Sequence, residues 1–169
     1  HNYYTFLYNK MIFDLLKEVR GEGEAILFAR SATAGGQQFP VHWGGDNSAS
    51  YVSMAETLRA GLSMSHSGFG FWSHDVPGFH SLPNFMNSPL DEKVYMRWTQ
   101  FGVFTSHMRY HGSFKREPWH YPTIAPLVKR WWKLRYRLMP YILEEARRST
   151  ETGYPMVRAL LMRANAWAI

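Results

Sequence analysis

Short apolar runs alternate with stretches of helical spacing along the whole chain, and this alternation is what most limits its fold. Ala25-Ile26-Leu27-Phe28-Ala29 is wholly apolar, the pattern of a strand covered on both faces. Phe39-Pro40-Val41-His42-Trp43 and Gly68-Phe69-Gly70-Phe71-Trp72 read as two further strands, and residues 106–111 as a fourth. Between them lie helical patterns over 3–19 (stopped by Gly21 and Gly23), 51–64, 92–104 and 124–150. Met54, Leu58 and Leu62 share one face of the second helix, and residues 76–90 read as a loop. Pro140 is expected to interrupt the last helix near residues 136–139, because its ring clashes with the preceding turn. This order predicts an α/β fold with parallel strands and crossover helices, either a doubly wound sheet or part of a (β/α)8 barrel. No G-x-G-x-x-G follows a strand, so dinucleotide binding is disfavoured.

Composition removes other classes. The chain has 169 residues, enough for one core, and 46% hydrophobic against 19% charged residues marks it as globular. No run approaches the roughly 18 apolar residues of a membrane span, and the absence of Cys removes disulfides, thiolate metal sites and cysteine nucleophiles. Aromatics reach 17%, a supply of flat surfaces that suits ring-shaped ligands as well as a packed core. The chain runs from His1 to Ile169 with no visible signal peptide, and it reads as an internal piece of something longer.

Positive charge is concentrated. Residues 113–148 carry nine Lys or Arg against three Asp or Glu, most of them in Lys129-Arg130-Trp131-Trp132-Lys133-Leu134-Arg135-Tyr136-Arg137. Interleaved cations and aromatics could face nucleic acid. Leu127, Trp131, Leu134, Leu138 and Tyr141 nevertheless fall on one helical stripe, which favours a packed amphipathic helix with its cations in solvent.

Polar groups follow each proposed strand: Arg30, Asp46, His74 with Asp75, and His111, with Trp43 and Trp72 beside them. In a barrel these positions form the mouth, where reactive side chains project. A cation, a carboxyl group, an imidazole and aromatic walls suit a polyhydroxylated ring, stacking on its C–H face and bonding its hydroxyls. His107 and His111 have helical metal-ligand spacing, but no carboxylate or Cys completes a site, so no metal is expected. Ser73-His74-Asp75 is no hydrolase triad, because adjacent strand residues face opposite ways.

Phe28-Ala29-Arg30-Ser31, Trp43-Gly44-Gly45-Asp46, Gly68-Phe69-Gly70-Phe71-Trp72-Ser73-His74-Asp75 and Arg109-Tyr110-His111-Gly112 occur in order with matching spacing. By these blocks the chain resembles the family 31 glycoside hydrolases, retaining α-glycosidases on a (β/α)8 barrel. Residues 29–37 and the opening His-Asn-x-Tyr look like the bacterial α-xylosidase branch. The resemblance implies that residues 1–150 are roughly the second half of the barrel, and that 151–169 start the segment after it. It implies Asp46 as general acid/base, Arg30 and His111 as ligands of sugar hydroxyls, and Trp43, Asp75 and Phe79 as pocket-lining residues. Trp72 and His74 would be packing behind them. The family's nucleophile lies in a Lys-x-Asp-x-Gly-Glu block ahead of the His-Asn-x-Tyr helix, and no such block occurs in residues 1–169. The isolated piece is therefore expected to be inactive, and to self-associate through uncovered sheet edges.

The expected substrate is an oligosaccharide or α-xyloside with terminal non-reducing xylose; an α-glucosidase of the same family is the alternative. A non-catalytic carbohydrate- or nucleic-acid-binding domain is the competing class. No cofactor is implied, nucleic acid and membrane are not expected partners, and the resemblance favours a cytoplasmic location.

Overall fold

The computed structural model describes residues 1–81, 90–160 and 162. Among these described residues, helices and short strands alternate: α1 Asn2–Arg20, β1 Phe28–Ala29, β2 Val41–Trp43, α2 Tyr51–His66, β3 Trp72–Ser73, β4 Asp75–Val76, α3 Glu92–Val103, β5 Arg109–Tyr110, α4 Ala125–Arg137 and α5 Met139–Thr152. Short 3₁₀ turns occupy Gly36–Gln38 and Pro118–His120. β1 pairs with β2 and β2 with β3, both in parallel; β4 pairs in parallel with β5. β3 and β4 form one run interrupted at His74, so its first half belongs to β2 and its second to β5. Parallel neighbours in chain order, with α2 between β2 and β3 and α3 between β4 and β5, are the arrangement of a barrel segment.

Register sorts the strand residues onto two faces. Phe28 pairs with Val41, Trp43 with Ser73, and Asp75 with Arg109; Ala29–His42–Trp72 and Val76–Tyr110 form the alternate rows. The second set points into the helix layer. Trp72 is 2% exposed and lies so close to α2 that a Cβ on Gly61 would overlap its ring, and its indole N–H donates to Ser65 Oγ at 3.0 Å. Val76 joins Val94 and Trp98 of α3 in the core, while Tyr95, Ile124 and Val128 make a second cluster with Tyr110 and Trp132 at its edge.

Several local expectations change. The strand over 25–29 shrinks to Phe28–Ala29, and it is covered on one side only: Ile26 is 67% exposed and Phe28 40%. The strand placed at 68–72 is displaced to 72–76, since Gly68 has φ +88° and Ser65 and Met64 carbonyls bind Gly68 and Phe69 as the tail of α2. On α2 the buried face is Thr57, Gly61 and Ser65 rather than Leu58, because small residues make room for Trp72. Eight residues of the loop expected over 76–90, and most of 161–169, lie outside the described residues.

The last helix breaks at Leu138, within the stretch where the proline was expected to interrupt it, giving α4 and α5. Its buried stripe is shifted, however. Ile124, Val128 and Arg135 face inward while Leu127 and Tyr141 are half exposed. Arg135, expected on a solvated flank, is 7% exposed. It donates to the carbonyls of Gly102, Val103, Thr105 and Ser106 at 2.8–3.2 Å, closing the C-terminus of α3 with a cation.

Candidate active site

The inward row of the strands and the turns just beyond their C-terminal ends bring the sequence-predicted polar groups together. Arg30 follows β1 and Asp46 follows β2 by three residues; Arg30 Nη1 donates to Asp46 Oδ2 at 3.3 Å. Both side chains are accessible, 58% and 43%, as a group that must meet solvent and ligand requires. Gly45 makes the pair possible. Its φ of +76° suits glycine, and a Cβ there would lie 2.6 Å from Arg30 Nε.

Asp75 sits at the inward end of β4, 1% exposed. Arg109 reaches it from β5, with Nε and Nη2 each 3.0 Å from Oδ1. Burial pushes the Asp75 carboxyl upward from the usual range, while Arg109 and His111 oppose that rise. Its Oδ2 is buried with no hydrogen-bond partner among the described residues. Phe28 and Trp43 rings meet edge to face at 5.2 Å and form the aromatic wall next to this pair.

His111 follows β5, and its ring lies 5.5 Å from that of Phe79 in the turn after β4. The two turns are stitched to the one that carries Asp46. Asn47 O accepts from the backbone N–H groups of Phe79 and His80, at 2.7 and 3.1 Å. Arg116, 3% exposed, donates to Gly78 O at 3.0 Å and Phe79 O at 3.1 Å, fixing the same turn from the other side.

His74, which its place after a strand put at the mouth, faces the helix layer instead, and Trp72 packs on α2, where it lines one cavity with Asp46 and Ser73. The His74 ring stacks on Phe101 at 4.5 Å; Trp98 Nε1–H donates to its Nδ1 at 3.0 Å, leaving Nε2 to face Thr105 Oγ1 at 3.2 Å. Burial, with Arg135 nearby, brings its pKa down to about 3, so it is neutral near pH 7. Ser73, His74 and Asp75 do point alternately, and no triad forms. Two site residues escape the sequence reading. Arg109 is detectable as the inward partner two residues before His111; Arg116 carries no sequence signal at all. Among the described residues no cluster of three or more His, Asp or Glu could hold a metal, and no helix is long and apolar enough to cross a membrane.

The family model of the glycosyl hydrolases family 31 TIM-barrel domain matches residues 1–145. An α-xylosidase of Emericella nidulans is 41% identical over 164 residues, covering 96% of the chain and 20% of that protein. Glucoamylase 1 of Candida albicans is 32% identical over 162 residues, covering 94% of the chain and 16% of its own length. Among solved structures, the cycloalternan-degrading enzyme of Trueperella pyogenes in complex with a covalent intermediate superposes with a TM-score of 0.81 at 25% identity, over 94% of the chain and 22% of that structure. The chain thus spans about a fifth of the curated relatives it matches.

Proposed function

The chain belongs to the family 31 glycosyl hydrolases, and from that premise we propose that it supplies the acid/base-bearing half of the catalytic barrel of a retaining α-glycosidase acting on terminal α-linked xylose. The observation that carries the reading is the contact between Arg30 and Asp46 at the mouth, beside the inward-facing Trp43, Asp75 and His111. Asp46 is the general acid/base. Its carboxyl group protonates the departing glycosidic oxygen, and the resulting carboxylate then takes a proton from the water that attacks the glycosyl–enzyme bond. Arg30 orients that carboxyl group and bonds sugar hydroxyls. His111 and the free Oδ2 of Asp75 accept from or donate to others, while Trp43 and Phe79 bound the ring's apolar faces.

A retaining mechanism needs a second carboxylate about 5–5.5 Å from the first, as nucleophile. Asp75 does not serve, since it is buried against Arg109. The family resemblance puts the nucleophile in a Lys-x-Asp-x-Gly-Glu block, which does not occur in residues 1–169, so we assign it to another part of the full-length protein. Residues 1–150 are the barrel half and 151–169 begin the next segment. Two measurements test this. The full-length protein hydrolyses an aryl α-xyloside with a higher kcat/KM than the aryl α-glucoside; the reverse ranking reassigns the substrate to α-glucosides within the same mechanism. Purified residues 1–169 turn over neither, and self-associate through the uncovered sheet edges in size-exclusion chromatography; turnover by the isolated piece contradicts the shared-carboxylate reading.

A further inference from the structure

Among the described residues no hydrogen bond holds the aromatic wall of the site. Trp43 Nε1 is buried without a partner among the described residues, so nothing polar fixes the rotation of the indole. What touches its ring is Phe28, edge to face, and the guanidinium of Arg109, 5.1 Å from the ring centroid. The same guanidinium lies 4.9 Å from the Phe28 centroid. Both distances are within the reach of a cation–π contact, about 6 Å. At its polar edge Arg109 donates from Nε to Asp75 Oδ1 and pairs its charge with that oxygen at 3.0 Å from Nη2, which leaves Oδ2 directed elsewhere. One side chain from β5 therefore touches side chains of β1, β2 and β4. Strand parity puts it there, because Arg109 pairs with Asp75 and both occupy the inward row.

Arg109 is not a core ion pair that happens to lie nearby. Its side chain remains 34% exposed while Asp75 is fully covered, so the guanidinium forms part of the accessible floor between the aromatic wall and the carboxylate. A lysine could supply the charge but neither the fork that meets one oxygen twice nor the flat face that two rings contact. We propose that Arg109 is a positioning residue of the glycone pocket: wedged against Phe28 and Trp43 and bonded to Asp75, it sets both the indole and the free carboxylate oxygen against the bound sugar. This deepens the glycosidase reading and rests on it.

The experiment uses the full-length protein. Arg109→Ala removes a guanidinium-sized wedge, and a misplaced wall is expected to lower kcat/KM about 10²-fold. The loss appears chiefly in KM and, in parallel, in the affinity for an iminosugar xylose analogue. Millimolar guanidinium ion, filling the gap, restores part of both; sodium chloride and methylammonium at equal concentration restore neither. Arg109→Lys retains the melting temperature but keeps most of the KM defect. The proposal is overturned if Arg109→Ala and Arg109→Lys keep wild-type KM and analogue affinity, or if the loss is unmoved by guanidinium in a protein that melts as wild type. If Arg109→Ala does not fold, Arg109→Lys decides alone by its KM. Asp46→Ala, run alongside, separates the two readings. Full turnover by that variant removes the acid/base assignment, while analogue binding and its guanidinium rescue still decide the role of Arg109.

Discussion

His74 and Asp75 are neighbours in the run formed by β3 and β4, each 1% exposed, and they differ in how completely their polar atoms are satisfied. His74 faces the helix layer, where Trp98 and Thr105 occupy both ring nitrogens and Phe101 covers the ring. Asp75 faces the barrel interior with one oxygen bound by Arg109 and the other unmatched. The same contrast runs along the sheet. Outward Trp72, His74 and Val76 are sealed against the helix layer, while Arg30, Asp46 and Arg109 keep accessible charges. One face stores stability and the other keeps unused bonding capacity, which is what ligand binding consumes.

Substitutions on the two faces should therefore fail in different measurements. On the inward side, Asp46→Asn lowers kcat/KM for a poor leaving group by about 10²–10⁴-fold, the usual worth of a general acid/base, and leaves the melting temperature unchanged. A melting shift without loss of turnover would erase the contrast. On the outward side, Trp98→Ala empties a fully buried site and costs about 3–5 kcal/mol in denaturant titration, with KM unchanged in whatever remains folded.

Acid sharpens the comparison further. His74 binds no proton in the folded state until near pH 3, whereas the unfolded chain takes one up near pH 6.5. Stability is therefore full above pH 6.5 and falls as pH drops through that window, by about 1.4 kcal/mol per pH unit from this group. His74→Phe removes that slope between pH 6.5 and 4, and an unchanged slope would show that His74 is charged when folded. The smallest effect concerns His42, the outward residue that breaks the pattern. Its two buried ring nitrogens have no partner among the described residues, and burial holds its pKa low. His42→Leu should stabilise the protein by about 1 kcal/mol, since it removes an uncompensated desolvation cost. A loss of similar size would reveal a bond to a group outside the described residues.

Much of this division is legible in the sequence. Alternation of apolar runs and helices indicates a parallel α/β sheet, the resemblance to family 31 narrows it to a barrel segment, and strand parity alone separates His74 from Asp75. In the structure Arg30 meets Asp46, and both Asp46 and His111 lie within electrostatic reach of Asp75. What the sequence does not supply is register. Gly68-Phe69-Gly70-Phe71 looks like a strand, but the tail of α2 claims it and the strand begins at Trp72. The face of α4 is misread for a related reason: Arg135 is buried because four carbonyls at the end of α3 await a cation, a demand visible only in three dimensions. Arg109 escapes as a site residue because its role depends on three side chains distant in sequence.

The most direct test of the acid/base assignment removes the carboxyl group and supplies a nucleophile that needs no base. Full-length Asp46→Ala, given an activated aryl α-xyloside and sodium azide, should recover turnover and release α-xylosyl azide. In that step azide forms the new bond to the anomeric carbon and the enzyme's carboxylate leaves. No azide adduct and no recovery of rate, in a variant that binds the xylose analogue normally, would contradict the account.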